Sequence, residues 1–368
     1  MGIFSLVLIS LFTFAKAAVP RATSNNCVGT ISSLSDVSAA VQCTTVNIHS
    51  FTVPGGRTFS LDLLQGTTVN VLGDIQFGNA TWKGPLFLVT GQDITFNGNG
   101  QVFDGGGGYY WDGLGAKGST KPNPMMKIKM SGTFSDVHVV NSPARCFSIN
   151  NVGPLVISGA VVDDSQGDYP NDKSNGRPAG HNTDGFDVSG NDVVIRKSSV
   201  INQDDCLAIN RGKNIVFEDN YCHGGHGVSI GSITSDVVVE GVIVQGNEVV
   251  NSVTAFRIKT DKTATNSRVS NVTYSGNTAR NCSSYGLLID QSYPAVVGTP
   301  GNGVAISDIN FNQGSTELSV VQDAQMVAVN CGKNSCTGPW DWSDLKTSGG
   351  KIGKFQNTPT LIGYAAPY

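Results

Sequence analysis

Charge is scarce in this sequence. Only 14% of its 368 residues are Asp, Glu, Lys or Arg, the formal net charge is −4, and no basic tract interrupts it. That speaks against nucleic acid as a partner. No two cysteines stand at the C-x-x-C spacing of a zinc site. After residue 14 no long apolar run follows, so no membrane span is expected. Strong helix formers are also few. What fills the chain is short runs of Val, Ile, Thr, Ser and Asn punctuated by 45 glycines. Such a composition describes strands and turns.

What is present begins with an address. Ile3 to Phe14 is apolar and Ala15-Lys16-Ala17 offers a small-x-small cleavage site, so residues 1–17 read as a secretory signal. Residues 18–26 are expected to be a short propeptide or disordered lead, and 27–368 a single domain. Eight cysteines suit an oxidising compartment. Cys27 with Cys43, Cys206 with Cys222, and Cys331 with Cys336 are near enough in sequence for local bridges, although spacing does not fix connectivity. Cys146 and Cys282 are left over and are expected as buried thiols. Sequons at Asn79, Asn271 and Asn281 suit a secreted glycoprotein.

The central stretch is periodic. Asp184 and Asp205 are 21 positions apart, as are Asp205 and His226, and an apolar-x-apolar triplet starts two residues after each. These triplets are Phe186-Asp187-Val188, Leu207-Ala208-Ile209 and Val228-Ser229-Ile230, with Phe256-Arg257-Ile258 a later copy. A second set, Val193-Val194-Ile195, Ile215-Val216-Phe217 and Val237-Val238-Val239, starts every 22 residues; Leu155 opens an earlier copy and Val269 a later one. Periods of 20–30 residues with two or three short strands each predict an all-β parallel β-helix, in which stacking buries a core that no coil can bury alone. A β-sandwich also has many short strands but does not return one residue class to one register. Leu34, Val37 and Val41 share a face of a helix predicted over Ser32–Val41, suited to capping the open end of the stack. Two polar, Gly- or Pro-rich insertions, 108–124 and 164–182, are expected as excursions; the second is placed to wall a cleft.

Equivalent residues of successive coils lie about 4.8 Å apart. Asp184, Asp205 and His226 should therefore form a ladder, with Asp204 beside its middle rung. Crowded carboxylates repel, so at least one should hold its proton more tightly unless cations offset the effect. Arg257 and Lys259 alternate with Phe256 and Ile258 and should face out together. Asp187 reads as turn chemistry or a structural hydrogen bond. A calcium site is the alternative use of clustered carboxylates, but neighbouring cations would compete with the metal. Acids beside an Arg and a Lys suit hydrolysis of an anionic sugar polymer: one carboxyl protonates the leaving oxygen, another activates water, and the cations hold a substrate carboxylate.

Four segments, NTDGFD (182–187), QDDC (203–206), GHGVSIGS (225–232) and RIK (257–259), occur in this order. Together they resemble the motifs of polygalacturonases, glycoside hydrolase family 28, most closely the secreted fungal endo-enzymes. The resemblance implies a right-handed parallel β-helix that hydrolyses α-1,4-galacturonan in pectin with inversion and without metal or cofactor. It implies Asp204 as general acid, Asp184 and Asp205 as holders of the attacking water, and His226 as tuner of the acid. It further implies Asn182 in shaping the site and Arg257 and Lys259 as carboxylate binders, with Tyr293 matching a later tyrosine. Ser292 replaces the acid usual before that tyrosine, and no second cysteine pair follows Cys336. A secreted monomer that meets plant inhibitor proteins is expected. Exo-galacturonase, rhamnogalacturonan hydrolase and a non-catalytic pectin-binding decoy are the alternatives. The intact acid set disfavours the decoy, and the paired Arg257 and Lys259 disfavour rhamnogalacturonan.

Overall fold

The computed structural model describes residues 26–364. The signal expected over 1–17, and all of the 18–26 segment except Asn26, lie outside the described residues.

The short apolar runs become strands, and each strand pairs in parallel with its equivalent one coil on. Among the described residues the coils form two large sheets of 20 and 11 strands, and the architecture is a right-handed parallel β-helix. Six strands carry the candidate site: β1 (Phe147–Ile149), β2 (Phe186–Ser189), β3 (Asp205–Glu218), β4 (Gly227–Ile233), β5 (Thr254–Asp261) and β6 (Tyr285–Tyr293). In consecutive pairings Phe147, Phe186, Leu207, Val228, Phe256 and Leu287 stand on one another. All six are buried, because alternate side chains of a strand point to opposite faces and these point inward. The intervening stack is Ser148, Asp187, Ala208, Ser229, Arg257 and Leu288. The sequence triplets therefore report the true register of this wall. Truncating one inward ring, such as Phe186→Ala, would cost about 3–5 kcal/mol.

The turn amides between the sheets are satisfied by a buried ladder of asparagines. Oδ1 of Asn247 accepts from the backbone N–H of Asn220, and Oδ1 of Asn277 accepts from that of Asn247. Each Nδ2 donates to a strand carbonyl, Ile195 for Asn220 and Phe217 for Asn247. Buried polar backbone finds partners in this way without water.

The second set of runs is less faithful to its spacing. Val193 pairs with Ile215 as expected, but Ile215 pairs with Val242, 27 residues on, and Val239 pairs with Gly212. Val269 continues the Val239 position, and Val272 that of Val242. The cause is a longer coil: extra residues between β4 and the strand Val238–Gln245 push the equivalent position onward, and an apolar run happens to stand where a 22-residue period would place one. The predicted helix is also shorter, a 3-10 turn at Leu34–Asp36 running into α-helix at Val37–Ala40. Asp36 accepts from the Ser32 amide and the Ser33 hydroxyl, while the Cys27–Cys43 bridge closes the segment from its other end. It still caps the stack, with Ala40 and Val41 buried and Leu34 and Val37 packed against the core.

The bridges Cys206–Cys222 and Cys331–Cys336 are formed too, and Cys146 and Cys282 are buried thiols. Asn79, Asn271 and Asn281 lie at the surface. Both insertions fold against one another: Gly113 donates to the carbonyl of Ala179, Asn171 to that of Trp111 and Lys173 to that of Tyr109. They stand together beside the acid cluster.

Candidate active site

The turn entering β2 and β3 delivers the acids. Phe147, Phe186 and Leu207 share a register, so the residues two positions before them, Arg145, Asp184 and Asp205, share one as well. Backbone bonds carry that alignment through the turns, from Cys146 N–H to the Asp184 carbonyl and from Gly185 N–H to the Asp205 carbonyl. Asp184, Asp187, Asp204 and Asp205 are all buried.

Asp205 is held on both oxygens. Its Oδ1 takes Arg257 at 2.7 Å and the Ser229 hydroxyl at 2.7 Å, and its Oδ2 takes Lys259 at 2.8 Å. Arg257 Nε donates in turn to Ser229 at 3.2 Å. The two cations that face out from β5 thus neutralise the middle acid. Tyr293, at the end of β6, lies under Lys259 with Nζ 5.7 Å from its ring centre. The carboxylate of Asp290 braces this strand end, accepting from Ser292, Asn330 and the Val297 amide. An acid two positions earlier thus ties down the loop after Tyr293, although Ser292 stands next to the tyrosine.

Asp204 accepts from Asn182 Nδ2 at 2.9 Å and from the Asp205 amide at 2.8 Å, and its Oδ1 lies 3.0 Å from His226 Nδ1. His226 does not stand in register with Asp205. A bulge between Asp205 and Leu207 pairs Asp205 with Gly227, which moves His226 back beside Asp204; its amide donates to the Asp204 carbonyl. Gly225 and Gly227 make this possible. Both have positive φ, and a Cβ on Gly225 would meet the Asp204 carbonyl oxygen at 2.0 Å. Asn182 also has positive φ, and its Oδ1 accepts from Ala116 at 3.0 Å, tying the first insertion to the acid.

The acids differ in their hold on a proton. Burial, followed by the charges of Asp204, Asp187 and Asp205, raises Asp184 well above the usual carboxylate range against the pull of Arg145. One of its oxygens, Oδ1, is buried without a hydrogen-bond partner. Burial pushes Asp187 up to about 6 although Arg145 and Asn210 oppose it. For Asp204 burial acts in the same direction, but the His226 hydrogen bond and charge and the Lys259 charge outweigh it and hold the carboxyl below its ordinary value. Desolvation lifts all three more than mutual repulsion does, and the contacts with His226 and Lys259 are what set Asp204 apart.

Donor atoms of Asp204, Asp205 and His226 come within 4.8 Å of one another, the one such grouping among the described residues. They do not make a cation site: both oxygens of Asp205 already serve Arg257 and Lys259, and Asp204 already accepts from Asn182 and a backbone amide. The cleft around the cluster, about 380 Å³, is lined by all eight residues expected there, Asn182, Asp184, Asp204, Asp205, His226, Arg257, Lys259 and Tyr293. Arg145, His181, Asp187 and Asn210 join them. Asp187 faces this cleft, and Asn210 donates to it at 3.2 Å. Arg145 carries the same cue as the acids, an apolar-x-apolar triplet beginning two residues later, but the 164–182 insertion lengthens the interval to Asp184 and hides it.

A cleft on a parallel β-helix that sets a desolvated carboxyl beside a hydrogen-bonded one and two cations is equipped for acid–base hydrolysis of a glycoside. The profile of Glycosyl hydrolases family 28 matches residues 43–362. Endopolygalacturonase A of Aspergillus flavus is 39% identical over 97% of this chain and 97% of its own length. The polygalacturonase of Saccharomyces cerevisiae is 37% identical over 94% of each. A solved endopolygalacturonase I from Stereum purpureum, complexed with two galacturonates, superposes with a TM-score of 0.86 at 45% identity, covering 90% of this chain and 98% of that one. The chain belongs to glycosyl hydrolases family 28 and is a glycoside hydrolase.

Proposed function

We propose that this protein hydrolyses α-1,4-galacturonosidic bonds within polygalacturonan, the unesterified backbone of pectin, by an endo-acting, inverting mechanism. The observation that carries the reading is the placement of Asp184, Asp204 and Asp205 with Arg257 and Lys259 in a cleft that borders two further recesses. It shares Arg145 and Asn182 with one recess and His181 and His226 with another. An open groove admits the middle of a polymer, as endo action requires.

Asp204 is assigned the general acid and Asp184 with Asp205 the water. In the unliganded cleft burial favours the protonated form of Asp184, whereas the donors around Asp204 favour its ionised form. An arriving uronate sets a negative charge beside Lys259, whose charge otherwise holds Asp204 down, and excludes bulk water. Both effects weaken what holds Asp204 ionised, so the proton passes to Asp204, and Asp184, now ionised, takes a proton from water. Asp205 cannot serve readily as a covalent nucleophile, because Arg257, Ser229 and Lys259 occupy its oxygens. Its oxygen within 4.8 Å of Asp204 is nearer than the roughly 6.5–9.5 Å common to inverting pairs. Inversion here therefore rests on the engaged state of Asp205, which leaves Asp184 to take the proton of the water, and not on separation.

Arg257 and Lys259, with Tyr293 as a stacking face, hold the substrate carboxylate beside the scissile bond. The reading takes the enzyme as a secreted monomer, open to inhibitor proteins of plants; among the described residues no helix is long and apolar enough to cross a membrane. The test is hydrolysis of polygalacturonate followed by product sizing and proton NMR of the first-formed anomer. A ladder of oligomers with β reducing ends is expected. Monomer alone would overturn endo action, and an initial α anomer would overturn inversion.

A further inference from the structure

Gln203 stands directly before Asp204 in the chain, yet it does not line the acid cleft. Its side chain reaches the neck of the 164–182 insertion, and both ends of the amide are engaged there. Nε2 donates to the carbonyl of Asp164 at 2.8 Å and to Oδ1 of Asp168 at 3.0 Å. A carbonyl and a carboxylate accept, which fixes the nitrogen on that side. Oε1 accepts from the Thr183 hydroxyl at 2.9 Å, and the same hydroxyl accepts from the Gln203 backbone N–H at 2.9 Å. Two glycines of the insertion close on the amide, with Gly180 N–H donating to the Gly167 carbonyl at 2.9 Å. A Cβ on Gly167 would meet Gln203 Oε1 at 2.6 Å, and one on Gly180 would meet it at 2.2 Å.

These contacts join three pieces of chain that the chemistry needs in one arrangement. Thr183 is fully buried and stands between Asp184 and Asn182, the donor to Asp204 Oδ2. Asn202 adds a parallel brace, donating from Nδ2 to the carbonyls of Thr183 at 2.8 Å and Asp205 at 3.0 Å. The acid turns of two successive coils are thus tied to each other by groups that do not line the cleft. Gln203 extends the tie to the insertion.

We propose that Gln203 is a positioning residue for hydrolysis: its amide seats the neck of the insertion on the acid turns and so sets Asp204 against Asp184. The inference rests on the roles assigned to those two acids above. An amide suits the task because it donates to two acceptors and accepts from a hydroxyl at once. A carboxylate of the same shape offers no donor. Misplacing reacting groups by about 1 Å can cost about 10²-fold in rate, so the effect falls on turnover. Substrate binding is spared, since Arg257 and Lys259 hold to Asp205 and Ser229 and not to Gln203.

The variants are Gln203→Leu, Gln203→Glu, and Gln203→Glu combined with Asp168→Asn, each compared with the parent on polygalacturonate across a range of pH. Gln203→Leu should lower kcat on the order of 10²-fold and leave KM within a few-fold, with the circular dichroism spectrum of the parent. Gln203→Glu keeps the shape and the Thr183 bond but sets a carboxylate against the Asp164 carbonyl and the Asp168 carboxylate. Its kcat relative to the parent should climb as pH falls and the introduced carboxyl gains a proton to donate. Asp168, Arg177, His181, His223 and His226 share the recess beside the amide, and of these Asp168 is the one bonded to it. Adding Asp168→Asn exchanges donor and acceptor across that contact, so it should raise kcat several-fold over Gln203→Glu and flatten the pH dependence. A parental kcat in Gln203→Leu would overturn the proposal. So would a Gln203→Glu enzyme in constant ratio to the parent at every pH, or a double variant no better than it, since either leaves Gln203 as packing alone. If Gln203→Leu does not fold, those two isosteric changes decide. Failure of the parent enzyme on every galacturonan would instead remove the reading beneath it.

Discussion

The Nδ1 of His226 lies 3.0 Å from Oδ1 of Asp204, on the rung beside the one that equal spacing assigns to it. The bulge at Asp205–Leu207 makes the difference, and it changes what the histidine can do. Beside Asp205 it would add one more contact to an acid that already accepts from Arg257, Ser229 and Lys259. Beside Asp204 it sets the ionisation of the carboxyl assigned to protonate the leaving group.

Asp204→Asn should fold normally and lose turnover by about 10²–10⁴-fold, since an amide can accept the Asp205 amide bond yet cannot protonate a glycosidic oxygen. Reducing-sugar release beside a circular dichroism spectrum checks it. Turnover within a few-fold of the parent would remove Asp204 from the acid's role.

Replacing the histidine tests the coupling. In His226→Ala, burial still raises Asp204 while the largest opposing influence is gone, so the carboxyl should hold its proton to higher pH. The alkaline limb of the kcat profile should move upward, with kcat itself reduced because the acid is weaker. An unmoved limb would show that His226 does not govern Asp204.

Chelation should leave the rate unchanged. The donors of Asp204 and Asp205 are occupied by Lys259, Arg257 and Asn182, and a divalent ion would have to displace them. Loss of activity in EDTA with recovery in calcium would overturn this and revive the calcium site.

Stability should peak in mildly acid solution. Burial raises Asp164, Asp184 and Asp187 in the fold. Their stabilising contribution is complete below the ordinary carboxylate pKa and is lost as pH rises through the folded values, for Asp187 between 3.8 and about 6. Asp112, where donors from Ser119, Lys121 and Leu114 overcome burial to lower it to about 2, and Asp204 act the other way, losing their contribution as pH falls. Asp164 offers a clean test away from the cleft. It is fully buried, takes Ser142 N–H on Oδ1, and has no partner on Oδ2. Asp164→Asn should raise Tm at neutral pH by roughly 1–2 °C and flatten its fall as pH rises above the ordinary carboxylate range. A lower Tm at every pH would mean that Asp164 is paired as an anion.

Spacing along the chain is enough to lay out the wall of the helix that carries the acids. Strand side chains alternate strictly, and a coil that must stack on its neighbour repeats its apolar triplet, so Phe186, Leu207, Val228 and Phe256 could be aligned by counting. The same counting placed Asp184 with Asp205 and turned Arg257 and Lys259 outward. It failed where a coil changes length without changing its composition, at Val237–Val239, and where a single inserted residue shifts the pairing, at His226. Neither event alters local hydrophobic pattern, so neither is visible before the strands are paired. Only the pairing of the coils sets which oxygen each cation holds, that burial lifts Asp184 while His226 and Lys259 hold Asp204 down, and that Arg145 joins them across the 164–182 insertion. Those outcomes depend on burial and on contacts between distant coils, which a spacing in sequence does not encode.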